Sequence, residues 1–169
     1  AAMDVATLYQ AKYDEFRPYL QTFVREAWQL LVRVGNVPRY DAVVTSGIRF
    51  LTTVARSADH GLFGEAATLA QISASIIVPN VGLREEDEEL FEDNPTEYIR
   101  RDMEGSDGET RRRAAVELVK GLRTHYDGPV TASFSAFVAD ALAAYADGAG
   151  GAWRGKDAAI YVVTALGWK

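Results

Sequence analysis

From Tyr19 onward the apolar positions fall at Tyr19, Leu20, Phe23, Val24, Ala27, Trp28, Leu31 and Val34. Steps of three and four bring them onto one face of a helix, which Gly35 is placed to stop. A second such face, Val43, Val44, Gly47, Ile48, Leu51 and Val54, begins after Pro38 and is broken by the stretch from Asp59 to Gly64. Leu69, Ile72, Ile76 and Ile77 predict a third helix ending near Pro79, because proline disfavours helical geometry in the residue before it. Ala114, Ala115, Leu118, Val119, Leu122 and Tyr126 predict a fourth. Asp127-Gly128-Pro129 then turns the chain into a fifth, carrying Val130, Phe134, Phe137, Val138, Ala141, Leu142 and Tyr145. A glycine-rich loop from Gly148 to Gly151 leads to a last helix from about Trp153 to Leu166. Period-two alternation is confined to short, weak runs, so no strand is predicted.

The fold class that follows is all-α. Long helices arranged as successive hairpins of roughly forty residues match the period of HEAT or armadillo repeats and predict an α-α superhelix, a segment of a HEAT-repeat solenoid. The hairpins are expected at about 1–34, 38–80 and 111–146, with 153–169 opening the next repeat and an insertion at 84–110. A four-helix bundle is the competing architecture. The chain starts and ends inside helical patterns, Lys169 following Trp168 without a cap, which favours the solenoid. It also predicts apolar surface at both ends and self-association of the isolated segment through them.

A chain of 169 residues that is 48% hydrophobic has ample material for a core. No run of about eighteen apolar residues and no basic-then-apolar leader occurs, so neither a membrane span nor a secretory signal is expected, and a soluble intracellular protein is. Cysteine is absent, which removes disulfides, thiolate metal sites and a cysteine nucleophile. The net charge of −6 is unevenly spread. Residues 84–110 hold twelve Asp and Glu against three Arg, a local −9, so the remainder of the chain carries +3. That distribution argues against nucleic acid as a partner and toward a basic protein surface, with a merely solvated acidic loop as the alternative.

Catalytic and cofactor chemistry finds no foothold. His60 and His125, the only histidines, are far apart and outside any zinc spacing; surface or capping roles are expected. The glycines at 148, 150 and 151 follow no strand and make no dinucleotide fingerprint, and neither a phosphate-binding loop nor a nucleophile elbow is present. Asp102 to Asp107 departs from a calcium loop in the position of its glycine and its closing glutamate. Asn94-Pro95-Thr96 is no glycosylation site, since proline fills the middle position. A helical metal-dependent enzyme would need inward carboxylates beside a histidine. No cofactor, no metal and no enzymatic activity are therefore expected.

The informative stretch is Arg84 to Thr110. Glu85 to Phe91 can form one or two helical turns with Leu90 and Phe91 as anchors. Asn94 is placed to cap a second helix from Pro95 to about Glu104, proline suiting the first helical position. Tyr98, Ile99 and Met103 would dock this insertion on the body, leaving a fence of carboxylates facing outward.

The run VPNVGLREEDEELFEDNPTEYIRRDMEGSDGETRRRAA, Val78 to Ala115, resembles the long insertion within a central HEAT repeat of the importin-alpha re-exporters, the CAS/Cse-type exportins of the importin-beta superfamily. Its most specific part is Phe91 to Asp107. The flanks are similar too: Leu8 to Phe16, the Trp28 helix, Phe50-Leu51, Gly128 to Ser135 and Trp153 to Leu166. The resemblance implies a binding scaffold that shuttles between nucleus and cytoplasm, wraps around importin alpha and the GTP-bound Ran GTPase, and uses the insertion as Ran contact and hinge. Carried onto this chain, the contact and hinge residues are Glu85, Glu86, Asp87, Glu88, Glu89, Glu92, Asp93, Asn94, Glu97, Tyr98, Arg100, Arg101, Asp102 and Glu104. Arg100 and Arg101 would tie the insertion to its scaffold, and Arg111, Arg112 and Arg113 would cap that attachment or reach a partner. Related import receptors share a shorter form of the signature, so an import receptor or a generic HEAT adaptor stays open at this level.

Overall fold

The computed structural model describes residues 2–12, 14–104, 110–148 and 150–167, and among them there is no strand. Helix α1 is Ala2–Lys12, α2 Arg17–Val34 and α3 Asp41–Arg56. Helix α2 starts two residues before the predicted stripe, with Pro18 in its first turn, and ends where Gly35 takes a φ of 53°. That left-handed geometry is open to glycine at little steric cost. The two-faced pattern of α3 puts it at the centre. Val44, Ile48, Phe50, Leu51, Val54 and Ala55 are all buried, and α3 packs against α1, α2 and α8.

The helical run that opens with α4, Ala66–Ile72, ends two residues past Pro79, close to the predicted stop. It widens into a π turn, Ser73–Ile77, and continues as α5, Val78–Val81. The Val78 N–H reaches back five residues to the Ser73 carbonyl, and the Asn80 side-chain amide donates to the Ile76 carbonyl at 2.7 Å. The wide turn makes room for the proline ring and its missing donor, so the helix carries two residues past Pro79 before Gly82 takes extended geometry. Helices α6, Glu85–Asp93, and α7, Pro95–Tyr98, followed by a second π turn, Ile99–Glu104, form the insertion.

Helix α8 spans Arg111–Ala146 with one non-helical residue, Tyr126, at φ −131° and ψ 40°. The predicted turn at Asp127-Gly128-Pro129 is thus a kink one residue earlier. Pro129 then sits in the first turn of the second arm, where its missing N–H has no helical partner to lose. The predicted last helix is α9, Ala152–Gly167, entered through Gly148 and Gly151 at positive φ. The stretches Ala66–Asp93 and Arg111–Ala146 are long and apolar enough by composition to cross a membrane. In this fold the first sends Leu69, Ile72, Ile76 and Ile77 into the core, and the first arm of the second does the same with Leu118, Val119 and Leu122.

One hydrophobic core runs from α2 through α3 and the first arm of α8 to α9. Close approach of α3 and α8 depends on Gly121, where a Cβ would lie 3.3 Å from Thr52 Cγ2 and 3.4 Å from Arg56 Cγ. Replacing Gly121 by valine should force these helices apart and cost about 1–3 kcal/mol through overpacking. Thermal unfolding of the purified segment checks this, the expected outcome being a fall in Tm of several degrees at unchanged helical signal.

Candidate functional site

The insertion is seated by charge more than by apolar contact. Arg84, the residue before α6, donates from its two terminal nitrogens to the two Asp41 oxygens at 2.9 and 3.0 Å. Its backbone N–H and Nε donate to Asp87 Oδ2 at 3.2 and 3.1 Å. Arg111 lies on the other side of Asp41, with Nε 2.7 Å from Asp41 Oδ1, and donates to the Gly35 and Val37 carbonyls at 2.6 and 2.8 Å. The Arg111 side chain is only 3% exposed.

Helix ends explain why these positions attract charge. Gly35 and Val37 follow the C-terminus of α2, the negative end of its dipole, and Asp41 opens α3 at the positive end of its own. Burial works against the charge on Arg84, but its hydrogen bonds to Asp41 and Asp87 outweigh it and hold its guanidinium above its ordinary value. For Arg111 burial prevails over the attraction of Asp41 and lowers it. Both stay cationic, since guanidinium keeps its proton in proteins.

The C-terminal side of the insertion is held by Arg112 and Thr110. Arg112 donates to the Tyr98 hydroxyl at 3.1 Å and to Asp157 of α9 at 2.7 Å, and its guanidinium stacks 4.1 Å over the Tyr161 ring. Thr110 caps α8 by accepting the Arg113 N–H at 3.2 Å. Arg111 and Arg112 are therefore interior anchors; neither is placed to reach a partner. Asn94 caps α7 as expected, accepting the Glu97 N–H at 3.1 Å.

The carboxylates divide into two sets. At about 100° per residue, Glu85, Glu86, Glu89, Glu92 and Asp93 share an arc of roughly 120° on α6, and all five are exposed. Asp87 points the other way. It is buried, paired with Arg84, and has Arg101 at 3.8 Å, so the expectation of an outward contact residue is corrected here: its lone pairs hold the insertion down. Glu88 sits at the edge between the sets and is gripped by Arg154 of α9, with contacts of 2.5 and 2.9 Å. The Arg154 hydrogen bonds hold the Glu88 carboxyl below its ordinary value. This tie is accordingly complete above the ordinary glutamate range and is lost as pH falls through the lowered Glu88 value.

Glu97 and Arg100 pair loosely across 3.8 Å. Phe91 and Tyr98 stack edge-on at 5.5 Å within the insertion, while Phe91 is 52% and Ile99 42% exposed, so the expected docking of Ile99 and full anchoring by Phe91 are not found. The side chains of Asp102, Met103 and Glu104 lie outside the described residues, as does most of the calcium-like stretch. The two histidines, far apart in sequence, meet in the fold. The His60 and His125 rings stack at 3.7 Å, and His60 and Tyr126 share two hydrogen bonds of 2.8 and 2.9 Å at the α8 kink. Among the described residues no group of three or more His, Asp or Glu converges as metal ligands would.

An α-helical solenoid segment with a charged insertion defines the structural class, and the comparisons place it. The chain belongs to the Cse1 family, whose model matches residues 1–169. It is similar to Exportin-2 of Pagrus major, 52% identical over 168 residues covering 98% of this chain and 17% of that protein. Exportin-2 of Homo sapiens is 49% identical over the same shares. The solved structure of "the exportin Cse1 in its cargo-free, cytoplasmic state" superposes with a TM-score of 0.91 at 40% identity, covering 96% of this chain and 18% of that one. The chain thus spans about one sixth of the length of these relatives, and the HEAT-repeat solenoid class read from helix periodicity holds. The family is one of transport receptors and not of enzymes.

If the charge chain seats the insertion, Arg111→Ala should cost about 1–2 kcal/mol, because the hydrogen bonds to Gly35 and Val37 are lost while Asp41, 34% exposed, keeps Arg84. Urea unfolding of the segment followed by circular dichroism measures this, and a change below about 0.5 kcal/mol would place Arg111 among ordinary surface residues.

Proposed function

We propose that this chain is a segment of a nuclear export receptor that binds GTP-bound Ran and returns importin alpha from nucleus to cytoplasm, shuttling between the two compartments. The acidic face of α6 serves as its Ran contact, and the insertion as a hinge. What supports this reading is the division of the α6 carboxylates in a chain about half identical to Exportin-2. One set seats the insertion, and a contiguous second set, Glu85, Glu86, Glu89, Glu92 and Asp93, is exposed. Such a face suits a basic protein surface, and exposed charges of this kind steer association more than they add affinity.

The hinge reading draws on the way the insertion is held. It touches α3 through Arg84 and Asp41, α8 through Tyr98 and Arg112, and α9 through Glu88 and Arg154. A polar seat on three helices can exchange partners with little loss of apolar burial. The exposed apolar side chains Leu142, Tyr145, Trp153, Ile160 and Val163 on α8 and α9 suit coverage by further repeats of a longer receptor.

The test uses the full-length receptor with importin alpha present and replaces Glu85, Glu86, Glu89 and Glu92 by glutamine and Asp93 by asparagine, leaving Asp87 and Glu88 in place. Five exposed pairs at roughly 0.3 kcal/mol each predict about a tenfold loss of affinity for GTP-loaded Ran at low salt. The loss should shrink as screening shortens from about 10 Å at 0.1 M to about 3 Å at 1 M salt. Unchanged affinity and unchanged salt slope would reduce the face to a solubilising surface.

A further inference from the structure

The first turn of α9 carries a charge that its own helix disfavours. Arg154 is the third residue of Ala152–Gly167, no acidic residue shares that turn, and a cation there opposes the helix dipole. Its local contact is a weak one, with the guanidinium 5.5 Å from the Trp153 ring centre at an exposed site, so the stronger compensation is sought elsewhere. Arg154 finds its compensation on α6: it grips both Glu88 oxygens, and Glu85, one turn before Glu88 and within the exposed acidic face, adds to the attraction.

We propose that Arg154 is an autoinhibitory stand-in for a partner's cation: it covers the edge of the α6 acidic face and must be displaced when a basic protein surface docks there. The proposal rests on the reading of that face as a partner contact. It adds the consequence that docking and the α6–α9 tie exclude one another. A partner that takes Glu88 releases the N-terminal end of α9, whereas the Asp41–Arg84–Asp87 chain on the other flank is left intact. The two flanks are unequal in the way this requires. Arg84 and Asp87 are each 12% exposed in their side chains, but Arg154 and Glu88 are 49% and 26% exposed, so water and salt reach the α9 tie first.

The experiment again uses the full-length receptor. Arg154→Ala should bind GTP-loaded Ran, with importin alpha present, about fivefold more tightly than wild type at low salt, the upper range for freeing an exposed pair, and the gain should vanish at high salt. Arg25→Ala, which removes an exposed arginine of α2, controls for net charge. Unchanged or weaker binding by Arg154→Ala, or an equal gain in the control, overturns the proposal. Should wild type and Arg154→Ala both fail to bind Ran, the reading of the face as a Ran contact fails, and a second measurement decides the competition by itself. Phenylglyoxal modification of Arg154, read by mass spectrometry with and without decalysine at low salt, should speed up several-fold when the peptide competes for Glu88. An unchanged or slower rate overturns displacement.

Discussion

The architecture around the insertion depends on Asp41. A carboxylate at the start of α3 is held between two guanidiniums, one from Arg84 before α6 and one from Arg111 at the start of α8. Those arginines in turn reach the carbonyls after α2 and the carboxylate of Asp87. Four helix ends thus meet through alternating charges: Asp41 and Asp87 lie at helix N-termini that favour them and Arg111 reaches the C-terminal end of α2, while Arg84 and Arg111 also stand at the N-termini of α6 and α8, where the carboxylates offset the unfavourable dipole. Removing any one member would leave its neighbours desolvated and incompletely paired, which is the costly case for buried charge. The described part of the acidic insertion, residues 84–101, is therefore fastened to the repeat body by charge.

The same seat sorts the acidic residues by position. In sequence they form an undifferentiated run, yet a helix turns that run into two faces. Asp87 faces Arg84, which ties back to Asp41 of the body, Glu88 at the edge faces Arg154 of α9, and Glu85, Glu86, Glu89, Glu92 and Asp93 are exposed. The inward residues explain why the insertion holds one position, and the outward residues explain how it could recognise something basic. A substitution series that treats 85–89 as one block mixes the two duties, because it removes the Asp87 latch together with the exposed charges.

How much of this was legible in the sequence follows from the range of each interaction. The helix stripes, the Gly35 stop and the Asn94 cap are local, set by periods of three to four residues, and periodicity reads them directly. The partition of carboxylates on α6 was within reach of the same period. Asp41, Arg154 and Asp157 were not, since each acts on a residue 43 or more positions away and no local pattern marks it. The π turn before Pro79 and the kink that replaces the 127–129 turn were hidden for another reason. Proline signals a departure from regular geometry but not its form, and here the chain chose a π turn and a kink over a break. The histidines were separated on the line of the sequence and brought together by the kink at Tyr126.

Amide hydrogen exchange in the segment carrying Asp41→Asn tests the central claim most directly, because it asks whether one carboxylate on α3 governs the order of a distant insertion. The account predicts faster exchange across residues 85–98, with the buried part of α8 around Leu118 and Leu122 keeping its protection. Unchanged exchange over 85–98 would contradict it, and would mean that the insertion is held by its apolar contacts and not by the charge chain.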